Sequence, residues 1–301
     1  MALRFGVFGT GHWATETHAA ALATHPDVEL VGIWGRDPAK AANLAGRYGV
    51  PAFDDVNALI DAVDAVAIAL PPEVQATIAA RAADAGRHLL LDKPIALTVA
   101  DADVLAKAVE RRGVASVVFF TNRFRPDVSG ALAAAAATGD WYGARVTMFA
   151  SIFRPGGPYG RSAWRKEWGG LWDIGPHALS LLIPVLGPVT EVSAVSGPHA
   201  TTHLILRHTS DAVSTCSLTI DAAPEATAYD VVFYGENGVE PLPRGQGTAI
   251  EAYRRAVDQL VEEIQSGARD QQCDVRFGRE VVAVLAAAEL AKEEGRVTAP
   301  A

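Results

Sequence analysis

One glycine pattern constrains this chain more than any other feature. Leu3–Phe8 is a short apolar run that stops at Gly9, and Gly9-Thr10-Gly11-His12-Trp13-Ala14 leads into a helical stretch over His12–His25. The spacing is G-x-G-x-x-A. Gly9 permits a tight turn, and Gly11 lets a ligand come close to the backbone. The helix start offers unbonded N–H groups at the positive end of its dipole. A strand, turn and helix in this order cradle an anion, and the spacing suits the pyrophosphate of a dinucleotide. Gly9, Thr10, Gly11, His12 and Trp13 are the residues assigned to that task.

The fold class follows from what repeats around the motif. Apolar runs at Val28–Trp34, Ala52-Phe53, Ala65–Leu70, His88–Leu91 and Ala115–Phe120 alternate with helical segments. Asp37-Pro38 reads as a cap with proline at the first helical position, carrying a helix to about Arg47. Asp54 or Asp55 caps the next helix. A helix from Val74 to Ala85 ends at Gly86, and one from Thr98 to Arg112 stops at Gly113. The strands are apolar throughout rather than alternating, so both faces are buried, as in a doubly wound parallel sheet of an α/β domain.

Beyond Thr121 the rhythm changes. A helix near Asp127–Thr138 precedes a strand over Ala144–Phe153, and Arg154–Trp172 reads as a Gly-, Pro- and Trp-rich loop before a helix from about Gly175. Strands then follow closely at Thr190–Ser196, Thr202–Arg207, Val213–Ile220 and Tyr229–Tyr234, with a hairpin at Asn237-Gly238. Helices near Ala249–Gln265 and Arg276–Glu294 close the chain. This half reads as α+β with an open-faced, mostly antiparallel or mixed sheet. The expected division is a dinucleotide-binding domain over 1–121 and a substrate-binding and oligomerisation domain over 122–301, its last helix packing back on the first.

Composition excludes several classes. Half of the 301 residues are hydrophobic and a fifth are charged, which rules out disorder. Lys plus Arg number 26 against 35 Asp plus Glu, a net charge of −9 that repels nucleic acid on average. The longest apolar runs fall far short of the roughly 18 residues that span a bilayer, so no membrane partner is expected. The first residues lack a signal-peptide pattern, and Cys216 and Cys273 are too few for a disulfide framework. The expectation is a cytoplasmic chain with free thiols.

Ligands of a doubly wound sheet bind outside the carboxyl ends of its strands. The segments that follow those ends are Gly9–Ala14, Gly35-Arg36, Leu70-Pro71-Pro72, Asp92-Lys93-Pro94 and Thr121-Asn122-Arg123. Gly35 stands where a carboxylate would read a ribose 2′-hydroxyl, and the Arg36 guanidinium suits a 2′-phosphate. NADP(H) is therefore favoured over NAD(H). Lys93 leaves a buried strand where the cofactor lies. In the second half, Asp173-Ile174-Gly175-Pro176-His177 opens a helix with its apolar stripe at Ala178, Leu181, Leu182 and Val185. Asp173 and His177 are four apart, so a carboxylate can orient an imidazole suited to moving a proton from a hydroxyl. Trp164 and Arg165 are candidates to stack on a sugar face and bond its hydroxyls.

With these residues in place, the chain resembles the Gfo/Idh/MocA family (glucose–fructose oxidoreductase, inositol dehydrogenase, rhizopine catabolism). The likeness rests on GTGHWA at Gly9–Ala14, LLLDKP at Leu89–Pro94, NRF at Asn122–Phe124, WR at Trp164-Arg165 and DIGPH at Asp173–His177. The resemblance implies a Rossmann domain joined to an open-faced sheet domain, and chemistry on sugars, cyclitols and related polyols. It implies a catalytic role for Lys93, by match to the family's E-K-P, and for Asp173 and His177, by match to its D-x-G-x-H. Leu70, Pro71, Asp92, Lys93 and Asn122 would join the glycine loop, Gly35 and Arg36 in holding the cofactor. Lys93, Arg123, Trp164, Arg165 and His177 would meet the substrate. Two residues depart from the pattern: Asp92 replaces the glutamate of E-K-P, and Gln75 stands where a histidine is usual. Alternation along Val213–Ile220 leaves Val213, Thr215, Ser217 and Thr219 on one face. Relatives pair through this sheet, which implies a homodimer or higher homo-oligomer. Two other functions fit the same fold. One is a non-catalytic dinucleotide-binding regulator, against which Lys93, Asp173 and His177 argue. The other is a glycosidase using transient oxidation by bound NAD, for which the phosphate loop offers no sign.

Overall fold

The computed structural model describes residues 2–154, 156–160 and 162–301. The chain begins with β1 (Leu3–Phe8), a helix over 12–22 (α1), β2 (Val28–Trp34), α2 (Pro38–Tyr48), β3 (Ala52–Phe53), α3 (Val56–Ala62) and β4 (Ala65–Ile68). It continues through α4 (Pro72–Asp84), β5 (His88–Asp92), α5 (Val99–Arg112) and β6 (Ser116–Phe119). A 3-10 turn at Thr121–Phe124 leads to α6 (Pro126–Thr138), β7 (Trp141–Phe149) and α7 (Ala163–Leu186). Five strands follow: β8 (Val189–Ser196), β9 (Thr202–His208), β10 (Val213–Thr219), β11 (Ala228–Gly235) and β12 (Gly238–Pro241). The last elements are α8 (Ala249–Ser266) and α9 (Val275–Glu294).

Local chemistry sets the helix ends. Asp37 Oδ1 accepts from the amides of Ala39 and Lys40, so its carboxylate is used as a cap. Asp55, rather than Asp54, caps α3 through the Asn57 amide. Thr98 caps α5, and Thr248 with Glu251 forms a capping box at the start of α8. Gly49, Gly113 and Gly267 end their helices with positive φ, where a side chain is disfavoured.

The two compact units are Met1–Phe124 with Gly247–Arg279, and Arg125–Gln246 with Glu280–Ala301. Where a single division after Thr121 is expected, the chain thus returns to its first unit for α8 and the start of α9. In the first unit six parallel strands lie in the order β3-β2-β1-β4-β5-β6. The order reverses direction between β1 and β4, and β1, β4, β5 and β6 carry the buried core residues Val7, Phe8, Val66, Leu90 and Val118. In the second unit the order is β12-β11-β7-β10-β9-β8. Only β7 and β10 pair in parallel, and the other four pairings are antiparallel. Val146, Met148, Leu204, Leu206, Cys216 and Leu218 face one way and are buried, with α7 packed against β7, β9 and β10. Val195, Ile205 and Val213 are exposed. Cys216 and Cys273 are free and buried, and burial pushes their thiols up to about 12 and about 11. No helix among the described residues is long and apolar enough to cross a membrane.

Two segments differ from expectation. The middle of α1, Ala14–Ala19, is wound as a π-helix. And Trp164 and Arg165 sit in a helix where a loop over Arg154–Trp172 is expected, Pro155 and Arg161 lying outside the described residues. The glycines explain that difference. Gly169 has φ 63° and ψ −159°, which breaks α7 into two helical pieces rather than unwinding it. Gly170 is small because of packing, since a Cβ there would lie 2.8 Å from Thr219 Cα. Asp173 and Pro176 are therefore the fourth and seventh residues of the second piece rather than its opening, and Pro176 gives up a helical hydrogen bond as Pro184 does.

Candidate functional site

In the first unit the glycine loop follows β1 as its spacing requires. Gly9 has φ 135°, its N–H donates to Trp34 O at 2.8 Å, and a Cβ would stand 2.4 Å from Ala69 O. Only glycine fits there. Ala14 is buried beneath it. Gly11 is exposed, and a Cβ on it would meet nothing within 4 Å, so the space beside its backbone is open. The Thr15 amide donates to Gly11 O at 2.9 Å, which starts the helix at this point. Open space, bare backbone and a helix start together fit a pyrophosphate.

Gly35 follows β2 and is buried against the loop. A Cβ there would lie 2.5 Å from Thr10 Cγ2. The threonine thus fills the position from which a carboxylate would reach a ribose, and Arg36 beside it is exposed. Leu70 and Pro71 follow β4, with Pro71 at the cap position of α4. Asn122 and Arg123 lie in the 3-10 turn after β6. Arg123 Nη2 donates to Gln272 Oε1 at 2.8 Å, and its guanidinium lies 5.9 Å from the Phe277 ring centre.

Asp92-Lys93-Pro94 leaves β5 held from below. Gln75, on α4, is 1% exposed. Its Nε2 donates to Asp92 O at 2.7 Å and to Pro94 O at 3.1 Å, while its Oε1 accepts from the Asp92 amide at 3.3 Å. One side chain therefore ties the backbone of both residues that flank Lys93. Asp92 Oδ1 also accepts from the Lys93 amide at 2.8 Å, and Lys93 itself is half-buried at the rim.

In the second unit α7 carries four candidate residues, Trp164, Arg165, Asp173 and His177, and joins the first three. Arg165 Nε donates to Asp173 Oδ2 at 3.0 Å, with the two side chains 18% and 8% exposed. The guanidinium also lies 4.4 Å from the Tyr159 ring centre and 4.5 Å from that of Trp164. Arg165 is thus sandwiched by aromatics and committed to a carboxylate, an arrangement that the eight-residue separation in sequence concealed. His177 is half-buried one turn after Asp173 on the same helix. Gly175 between them is again a packing glycine, since its Cβ would lie 2.9 Å from Leu285 Cδ2. Ser180 Oγ donates to His177 O at 2.8 Å, and Trp172 Nε1 to Glu289 Oε1 at 3.1 Å.

Sequence reasoning noted Gln75 only as a departure and missed what it holds. The signal available was an amide side chain on the buried face of α4, which must find partners. It passed over His18 and Tyr253, whose contacts join residues 235 apart in sequence.

Residues 3–120 match an oxidoreductase family with an NAD-binding Rossmann fold, GFO_IDH_MocA, and residues 131–239 match the GFO/IDH/MocA C-terminal domain. The dTDP-3,4-didehydro-2,6-dideoxy-alpha-D-glucose 3-reductase of Streptomyces antibioticus is 32% identical over 190 residues, covering 62% of this chain and 57% of that one. The inositol 2-dehydrogenase of Rhizobium meliloti (strain 1021) is 34% identical over 128 residues, covering 42% and 38%. The matches thus span less than two thirds of these relatives. The crystal structure of GenD2 from gentamicin A biosynthesis in complex with NAD has the same fold. Its TM-score is 0.86 at 24% identity, over 99% of this chain and 96% of that one.

Proposed function

This chain belongs to the GFO/IDH/MocA oxidoreductase family, and we propose that it oxidises or reduces a sugar, cyclitol or related polyol with a nicotinamide dinucleotide. One observation carries the reading. The glycine loop, Arg36, Leu70-Pro71, Lys93 and Asn122 all stand at the carboxyl ends of parallel strands whose order reverses at β1 and β4, the place where such sheets bind dinucleotides.

When bound, the nicotinamide supplies the hydride chemistry at its C4. The protein's part is to bind, orient and move a proton. The loop Gly9–Trp13 holds the pyrophosphate. Thr10 blocks a carboxylate at position 35 and Arg36 offers a guanidinium fork, so NADP(H) is preferred over NAD(H). Lys93 donates to the reacting oxygen and stabilises negative charge developing there. His177 takes the hydroxyl proton in oxidation and returns it in reduction. Asp173 orients His177, and Arg165 acts through Asp173 by holding its carboxylate. Trp164 and Arg123 border the substrate. The exposed face of the second sheet, with Val195, Ile205 and Val213, pairs with a second copy of the chain to form a homodimer.

The test is Lys93→Ala. It should bind NADPH within about threefold of the parent and lose turnover by roughly 10³-fold on the best substrate from a polyol and ketose panel. Normal turnover in that variant overturns the assignment. Tight binding with no turnover by the parent on any substrate favours a regulator instead.

A further inference from the structure

The π-wound middle of α1 delivers His18 into the interior of the first unit. The side chain is completely buried. Tyr253, on α8 and equally buried, sets its hydroxyl 2.8 Å from His18 Nδ1, and the two ring centres are 4.2 Å apart. Phe119 meets both rings edge-on, at 6.4 Å and 4.9 Å. Burial first, and the charge of Asp92 second, push the Tyr253 phenol well above its usual 10. The hydroxyl therefore stays protonated and can donate a hydrogen bond to Nδ1, the arrangement that puts the ring N–H on Nε2.

The Nε2 atom is buried, has no hydrogen-bond partner, and stands 3.7 Å from Asp92 Oδ2. A buried donor left without a partner calls for a reason. The reason on hand is the carboxylate it faces, whose other oxygen binds the Lys93 amide at 2.8 Å. From Tyr253 through His18 and Asp92 the polar groups form a line that ends on the backbone of Lys93. π-turns inside helices recur at functional sites, and here the π-turn contains His18.

We propose that His18, oriented by Tyr253, is a positioning residue for Lys93. It holds the Asp92 carboxylate in the rotamer that binds the Lys93 amide, and so sets the direction in which the lysine leaves the sheet. Gln75 fixes the backbone of Asp92 and Pro94 on either side of the lysine, and His18 fixes the one carboxylate of the segment. The inference rests on the reading of Lys93 as the group that bonds the reacting oxygen, and it adds two residues that touch neither substrate nor cofactor.

Three variants of the full chain test it. His18→Phe keeps the ring and removes both nitrogens, Tyr253→Phe removes one oxygen, and His18→Gln keeps a donor near the place of Nε2. The first readout needs no turnover: the rate at which an amine-directed succinimidyl ester labels Lys93, measured by peptide mass spectrometry against the exposed Lys40. The second is kcat against KM for the dinucleotide. We expect His18→Phe and Tyr253→Phe to change the Lys93:Lys40 labelling ratio at least about threefold and to lower kcat about tenfold with KM within about twofold. His18→Gln should recover most of both. Unchanged labelling and kcat in folded His18→Phe and Tyr253→Phe overturn the proposal, as does a fall in the Gln variant as deep as in the Phe variant. If His18→Phe does not fold, Tyr253→Phe decides alone, since it alters a single atom of the pocket. A shifted labelling ratio beside normal turnover of Lys93→Ala would keep the positioning role and discard the catalytic reading.

Discussion

Replacing Gln75 with leucine tests the support beneath Lys93 without touching the lysine. The side chain makes three hydrogen bonds at a site 1% exposed, to Asp92 O, Pro94 O and the Asp92 amide. Leucine is similar in size, so the loss is polar rather than a cavity. Each bond contributes about 1 kcal/mol net, and a buried group left without a partner costs about 1–3 kcal/mol. The 3.3 Å contact counts for little, so the two stronger bonds set a loss of about 3 kcal/mol. At roughly 2–4 °C per kcal/mol, this lowers Tm by about 6–12 °C. Urea unfolding of parent and variant, followed by far-ultraviolet circular dichroism, reads the change as a lower midpoint at constant slope. Gln75→Glu retains the acceptor but loses both donors, so it should be no better than leucine near neutral pH. A loss below about 0.5 kcal/mol for Gln75→Leu, the range of ordinary surface changes, refutes the claim that this residue clamps the loop.

Two further outcomes follow from buried polar groups. Arg165→Met takes the guanidinium away from the Asp173 carboxylate, 8% exposed, and should cost about 3–5 kcal/mol, the usual penalty for breaking a buried pair from one side. Adding Asp173→Leu should restore much of that stability but not turnover, as paired denaturation and rate measurements will show. His208 Nδ1 donates to Gly187 O at 2.8 Å, its Nε2 meets Ser214 Oγ at 2.8 Å, and burial lowers its pKa below the usual 6.5. Burial lowers the His88 pKa as well. Below pH 6.5 the unfolded chain therefore binds protons that these folded imidazoles refuse, so stability falls as the pH drops through that value. Urea midpoints measured from pH 7.5 to 5.5 should fall, and His208→Gln should flatten part of the slope. Midpoints that rise toward acid would contradict the assignment.

How much was legible in the sequence depends on the range over which each feature is set. The parallel sheet could be read because its signals are local: unbroken apolar strands, Asp37 and Thr98 as caps, Gly113 as a stop. Gly9 carried its own proof, since its turn forces a positive φ. The alternation of Val213–Ile220 likewise separates buried Ser214, Cys216 and Leu218 from exposed Val213 and Thr215, but Thr219, expected on the open face, is buried. Gly169, Gly170 and Gly175 misled for the opposite reason. In sequence a glycine means freedom, but Gly170 and Gly175 answer to Thr219 and Leu285, which approach from elsewhere in the fold. Gln75, His18 and the Arg165–Asp173 pair were invisible because burial and partnership are properties of three-dimensional proximity. Nothing near residue 18 in sequence announces that residue 253 will meet it.

On the proposed function, the rim of the parallel sheet holds a nicotinamide dinucleotide with its phosphates on the glycine loop. Equilibrium titration of the full chain with NADPH and, separately, NADH, followed by nicotinamide fluorescence, tests it most directly. Saturation at one dinucleotide per chain, with NADPH the tighter, is the predicted result. Failure of both nucleotides to bind saturably would contradict the account.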